Sequence, residues 1–229
     1  MTSREFAARL EQRATQAGLP LPLPALLARI ETYYRLLMRW NSKMNLTALS
    51  LPGAPPLTLD RLIIEPLAAA RHVPEGPVMW FDVGSGGGSP AIPLKIVRGA
   101  TRLTMVEAKS KKAAFLREAV RELQLADTIV EAVRFEELAE DSARAGRAQL
   151  VTVRGVRATV ELLRSARVLL DFGGALHMYV TDDVEMPTPL GFEREAVHPL
   201  AEGLRTKLVV YRAQQRSFAS TRQVPSRCV

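Results

Sequence analysis

The segment Trp80-Phe81-Asp82-Val83-Gly84-Ser85-Gly86-Gly87-Gly88-Ser89-Pro90 constrains this chain more than any other stretch. An apolar run from Val78 to Val83 reads as a buried parallel strand. Glycines follow, then Ile92-Pro93-Leu94-Lys95-Ile96-Val97, which reads as the start of a helix. Strand, glycine turn and helix together bring backbone N–H groups and a helix N-terminus up to a bound cofactor. The spacing argues against a dinucleotide. Gly84-x-Gly86-x-Gly88 is GxGxG, and Ser89 stands where a GxGxxG needs Gly or Ala. Asp82, closing the strand, also suits a cationic cofactor better than a pyrophosphate. S-adenosylmethionine carries a sulfonium and no phosphate, so methyl transfer is the working expectation.

Elements around the loop give the fold class. Strands are predicted at 78–83, 102–107, 128–133, 149–153 and 175–180, with helical patterns at 90–97, 109–124, 135–140 and 157–171 between them. Such alternation implies an α/β, doubly wound, mostly parallel seven-stranded sheet. Phe192 to Val197 and Lys207 to Tyr211 have no helix between them and predict a terminal antiparallel hairpin. A parallel sheet closing with such a hairpin resembles the class I S-adenosylmethionine-dependent methyltransferase type. A small N-terminal helical region, 1–72, precedes it, with helices at 3–17 and 24–42. A third helical stretch, Leu59 to Arg71, contains Pro66, which predicts a break or kink near Glu65. The expected methyltransferase domain is 73–215, followed by a flexible basic tail at 216–229.

Composition enters where partners are concerned. A formal charge of +7 and a pI near 10.0 point to a polyanion, nucleic acid first among them. One cysteine, Cys228, excludes an internal disulfide framework and a cysteine-rich zinc site. His72, His177 and His198 are widely separated and lack ligand spacing, so no metal is expected. No apolar run reaches the ~18 residues of a spanning helix, and no signal-peptide pattern opens the chain. The expectation is a cytoplasmic monomer without membrane contact.

Candidate site residues fall at strand ends. Glu107, about twenty residues beyond the loop, is placed to reach ribose hydroxyls, or else to pair with Lys109, Lys111 or Lys112. Phe135 could cover an adenine and Glu136 read its edge, while Glu136 and Glu137 also suit a helix N-terminus. Arg154 closes the fourth strand, where substrate enters, and can contact cofactor, base or phosphate. There is no Asn-Pro-Pro-Tyr tetrapeptide and no cysteine placed for a covalent base adduct. Both absences favour an acceptor atom that is already nucleophilic.

Those residues bring a family into view. Leu37-Met38-Arg39-Trp40-Asn41-Ser42-Lys43-Met44-Asn45-Leu46-Thr47 resembles the L-x-x-W-N-x-x-x-N-L-T segment of the RsmG/GidB family, bacterial 16S ribosomal RNA guanine-N7 methyltransferases. Asp82 to Leu94 resembles its D-V-G-[ST]-G-x-G-[FL]-P-G-I-P-L loop, Arg134-Phe135-Glu136-Glu137 its R-x-E-E, and Val153-Arg154-Gly155 its S-R-A. Glu107, Lys111-Lys112 and Phe115-Leu116 resemble its acidic–x3–K-R–x2–F-L pattern. The resemblance implies S-adenosylmethionine contacts at Gly84, Ser89, Phe135, Glu136 and Arg154, added to Gly86 of the loop and to Asp82 and Glu107 at the strand ends. It implies ribosomal RNA or the small subunit as partner and Arg154 as the catalytic candidate. Departures are Leu62, Glu65 and Pro66 in the R-H-x-x-D-S segment, Ser89 for Phe or Leu, Ala91 for Gly, Gln149 for Asp and Val180 for Lys. Ser89 is expected to leave the cofactor pocket looser. These departures keep two alternatives open: a non-catalytic cofactor- or RNA-binding paralogue, and a methyltransferase with another acceptor.

Overall fold

A computed structural model describes residues 1–20, 23–201 and 203–215. The expected basic tail at 216–229, with Cys228, lies outside the described residues. Strands β1 (Met79–Val83), β2 (Arg102–Val106), β3 (Thr128–Glu131), β4 (Ala148–Arg154), β5 (Leu170–Thr181), β6 (Phe192–Pro199) and β7 (Thr206–Ala213) form one sheet. Its order is β3-β2-β1-β4-β5-β7-β6. Neighbours from β3 to β5 pair in parallel, and β7 runs antiparallel to both β5 and β6. The predicted hairpin is therefore present, with β7 inserted between β5 and the edge. Chain order reverses between β1 and β4, and in open α/β sheets the crevice outside the strand ends at that point takes ligands.

Alternation along β1 explains which face meets what. Trp80 packs with the N-terminal helices, and Phe81 and Val83 with the opposite layer. On the first face lie α1 (Ser3–Gln16), α2 (Pro24–Asn41), α5 (Ala91–Val97) and α6 (Ser110–Glu122). Phe6, Leu10, Ile30 and Tyr33 share one buried cluster with Trp80, Leu94 and Phe115, so helices and sheet have a common core. The second face is closed by α7 (Phe135–Ala139) and α8 (Val160–Leu169). Thr2 caps α1 with a reciprocal bond to Glu5, and Thr159 caps α8.

Pro66 does not break its helix. An α turn, α3 (Pro56–Leu59), runs into a π turn at Asp60–Ile64, then α4 (Glu65–Ala69) and a 3₁₀ turn at Ala70–His72. Widening by one residue, with the Glu65 N–H donating to the Asp60 carbonyl, lets the proline enter without ending the helix. The break or kink expected near Glu65 takes the form of a π turn that interrupts the α pattern and ends where α4 begins at Glu65.

Candidate active site

The glycine loop leaves β1 with Gly84 at φ 67° and Gly88 at φ 84°. Its Gly84 and Ser85 N–H groups both donate to the Val106 carbonyl at the end of β2, at 2.8 and 3.1 Å. A Cβ on Gly84 would lie 2.4 Å from Val156 Cγ2, in the segment following β4. Gly84→Ala is therefore expected to cost about 1–2 kcal/mol for the left-handed backbone alone, with the Val156 clash added. A fall of several degrees in melting temperature, with an unchanged far-ultraviolet spectrum, checks it.

Helix α2 holds the loop from the other side. Tyr33 donates to the Gly87 carbonyl at 2.7 Å, and a Cβ on Gly87 would meet Leu37 and Leu46. Asn41 Oδ1 accepts from the Leu46 and Thr47 N–H groups, at 2.8 and 2.9 Å. That gives the Trp40-Asn41…Asn45-Leu46-Thr47 segment a physical purpose: it closes a turn that lies against the glycine loop.

Glu107 is buried, and its carboxylate accepts from Gly86 N–H at 3.0 Å and Lys109 N–H at 2.9 Å. It contacts backbone, with no ion pair to Lys109, Lys111 or Lys112 among the described residues. Each oxygen keeps a second lone pair for a further donor. Phe135 opens α7 and packs its ring into the core with Val106 and Leu138, so the half-buried Glu136 in the first turn is the more outward group.

Around Arg154 the structure assembles what the sequence scattered. Register pairs Asp82 with Thr152 and Thr152 with His177 in one row, and Arg154 with Tyr179 in the next. Trp80 Nε1 donates to Thr152 Oγ1 at 2.8 Å, and Thr152 donates to Asp82 Oδ1 at 2.5 Å. Arg154 Nη2 lies 2.9 Å from Glu65 Oε2, and Arg61 Nη1 donates to Glu65 Oε1 at 3.2 Å. The Glu65 side chain is only 1% exposed and that of Arg154 12%. The Arg154 guanidinium stands 5.8 Å over the Tyr179 ring. Burial pulls Arg154 below the ordinary guanidinium value, with Glu65 opposing that shift. Burial likewise raises Asp82 to about 6, against the bonds from Thr152 and Ser85.

Among the described residues Asp82 Oδ2 and Tyr179 Oη are buried without hydrogen-bond partners, and Glu65 Oε2 is held by the charge of Arg154 without an aligned hydrogen bond. Such atoms are rare, and these three sit beside one arginine at the β1–β4 switch point. An unpartnered carboxylate oxygen under the glycine loop fits a cationic cofactor, with Glu107 beside it to take hydroxyls. Glu65, Tyr179 and Thr152 were not named as site residues from sequence. The available signals were an acid inside Leu62-Ile63-Ile64-Glu65 and a threonine inside an otherwise apolar strand.

Residues 26–186 match the GidB family, rRNA small subunit methyltransferase G. The chain belongs to the GidB family. A "Ribosomal RNA small subunit methyltransferase G" of Stenotrophomonas maltophilia (strain K279a) is 36% identical over 85% of this chain and 88% of its own length. Its counterpart from Xanthomonas axonopodis pv. citri is 36% identical over 90% and 95% of the two chains, respectively. Among solved structures, a putative methyltransferase, yhhF, from Escherichia coli shares the fold at TM-score 0.51 and 10% identity, covering 81% of this chain and 88% of its own. A mutant of MtNAS in complex with S-adenosylmethionine does so at TM-score 0.55 and 15% identity, covering 82% and 75%. Membership in the GidB family bears out the resemblance read from the two loop segments, and with it an S-adenosylmethionine-dependent rRNA methyltransferase. The family's departures find contacts here as well. Gln149, in place of the expected acid, accepts from Met79 N–H at 2.9 Å and donates to Asp171 at 3.0 Å.

The three histidines, remote in sequence, meet on one face. His72 and His198 stack at 3.8 Å between ring centroids, and His177 lies buried in the neighbouring row. Among the described residues no group of three or more His, Cys, Asp or Glu is placed to hold a metal, and no helix is long and apolar enough to cross a membrane.

Proposed function

We propose that this chain methylates N7 of a guanine in 16S rRNA, in the cytoplasm, with the cofactor held by Asp82, Glu107 and Glu136 and by the backbone at Gly84, Gly86, Ser89 and Phe135. The observation that carries the reading is the set of unsatisfied buried atoms around Arg154, beside a glycine loop whose buried Asp82 carboxylate lends the crevice negative charge. S-adenosylmethionine supplies an electrophilic methyl group. Guanine N7 offers an unprotonated lone pair, so the protein has no proton to remove and works by alignment and electrostatics. The S–CH3 bond breaks as N7–CH3 forms, and the positive charge passes from sulfur to the guanine ring. Arg154 is the catalytic candidate, its charge held at the end of β4 by Glu65.

Exposed cations support an RNA partner. Lys43, Lys109, Lys111, Arg134 and Arg157 follow α2, β2, β3 and β4 at the strand-end side of the sheet. None of the five is in an ion pair among the described residues. Phosphates neutralised there release counterions, so binding is expected to weaken steeply with salt. Assaying methyl transfer to 30S subunits and mapping N7-methylguanine tests the proposal. Cofactor binding without transfer to any RNA would leave a binding module instead.

Asp82 gives the site a pH signature. With its carboxyl raised to about 6, the anion is lost as pH falls below that value, and attraction for a cation goes with it. Affinity for S-adenosylmethionine is expected to drop about tenfold from about pH 7.5 to about pH 5, and Asp82→Asn to bind weakly with little pH dependence. Calorimetric titration across that range reads both.

A further inference from the structure

Ser89 replaces a bulky apolar residue in the pattern this chain otherwise follows, and the structure gives its hydroxyl two partners. It donates to the Leu62 carbonyl at 2.9 Å and accepts from Arg154 Nη1 at 3.2 Å. The Leu62 carbonyl is available for a covalent reason. Leu62 lies where the π turn passes into α4, and there Pro66 has no N–H to offer the Arg61 carbonyl five residues back or the Leu62 carbonyl four residues back. A helical carbonyl left without its donor needs another partner, and the cofactor loop supplies one. Arg154 then returns to the same helix through Glu65, the residue before Pro66. Helix, loop, strand end and helix form a closed ring of contacts.

We propose that Ser89 is a positioning residue, and that Pro66 and Ser89 act as one unit. Pro66 creates the acceptor; Ser89 uses it to fix the glycine loop and the Arg154 guanidinium against the N-terminal helices. A hydroxyl has one proton and two lone pairs, so Ser89 can serve both partners at once. Phenylalanine or leucine at 89 could fill space but could answer neither group. The expected looser pocket rested on side-chain volume; the two hydrogen bonds hold this side chain in place.

This inference rests on the crevice being the S-adenosylmethionine site, and a double-mutant cycle separates the two claims. Ser89→Ala, Pro66→Ala and the double variant are melted without cofactor. Ser89→Ala is expected to lower the melting temperature by about 3–4 °C in the natural background, because Leu62 is left unpaired. In the Pro66→Ala background, where the N–H is restored, the same change should cost less than half as much. In the assay on 30S subunits, Ser89→Ala should lower kcat about tenfold while KM for the subunit moves less than twofold, as fits an effect on alignment. Equal thermal losses in both backgrounds would overturn the unit, and a natural kcat in Ser89→Ala would overturn the positioning role. Failure of the natural protein to bind S-adenosylmethionine would sink the site reading, while the cofactor-free cycle would still decide the pair.

Discussion

Replacing Arg154 with methionine is expected to abolish methyl transfer and to lower stability by about 3 kcal/mol, at the mild end of the range for breaking a buried ion pair. The activity loss follows from its position at the end of β4, among the unsatisfied buried atoms. The stability loss follows from what remains. Glu65 is buried and would keep only Arg61, whose own side chain is 32% exposed. Methionine fills the aliphatic part of the space, so the main effect is an uncompensated carboxylate rather than a cavity. For a chain of this length the melting temperature should fall by about 6–12 °C. Glu65→Leu combined with Arg154→Met should recover most of that loss and none of the activity. Melting curves and the 30S assay on the same preparations test both halves. A single variant within about 1 kcal/mol of the natural protein would mean that the pair is not held as the structure has it.

Acid should expose His177. It is paired between Thr152 and Val210 in the sheet, and both ring nitrogens lack partners among the described residues. Burial chiefly, then the charges of His72, Arg212 and His198, pull it from 6.5 down to about 3. The sign follows from which state takes the proton. Above the unfolded value neither state is charged and the contribution is complete. As pH falls from 6.5 towards 3, only the unfolded chain binds a proton, so stability is lost. At pH 4 this amounts to about 3 kcal/mol. Asp82 works in the opposite direction between its ordinary value of 3.8 and about 6, because its buried form prefers the proton. Comparing the natural protein with His177→Met removes that shared background. The variant should match or slightly exceed it at pH 7, since no hydrogen bond is given up. It should be more stable by about 3 kcal/mol at pH 4. Denaturant midpoints at the two pH values decide it; parallel loss in both proteins would locate the acid sensitivity elsewhere. His72, half exposed and lowered to about 4 by burial beside His198 and Arg71, adds in the same direction.

Much of the architecture was legible because its signals are local. An apolar run into Gly84-x-Gly86-x-Gly88 reads as a strand and a tight glycine turn, and the later strands repeat at helix-length intervals. Helix boundaries came close for the same reason, with Thr2 and Thr159 as caps. Pro66 signalled an interruption near Glu65 but not its form, because a π turn has no short-range sequence rule.

The site divides along the same line. Residues at strand ends, Asp82, Glu107 and Arg154, could be named from the sequence because strand order fixes where ends go. Their partners could not. Glu65 reaches Arg154 from the N-terminal helices, Ser89 binds a carbonyl freed by Pro66, and His72 stacks on His198 across the sheet edge. The sequence by itself determined the doubly wound sheet, the loop and the family, because periodicity, glycine spacing and short motifs lie within a few residues of one another. Only the tertiary structure decided which charges are paired and which are buried alone, since burial and electrostatic partnership depend on chain segments far apart in sequence being packed into one low-dielectric interior.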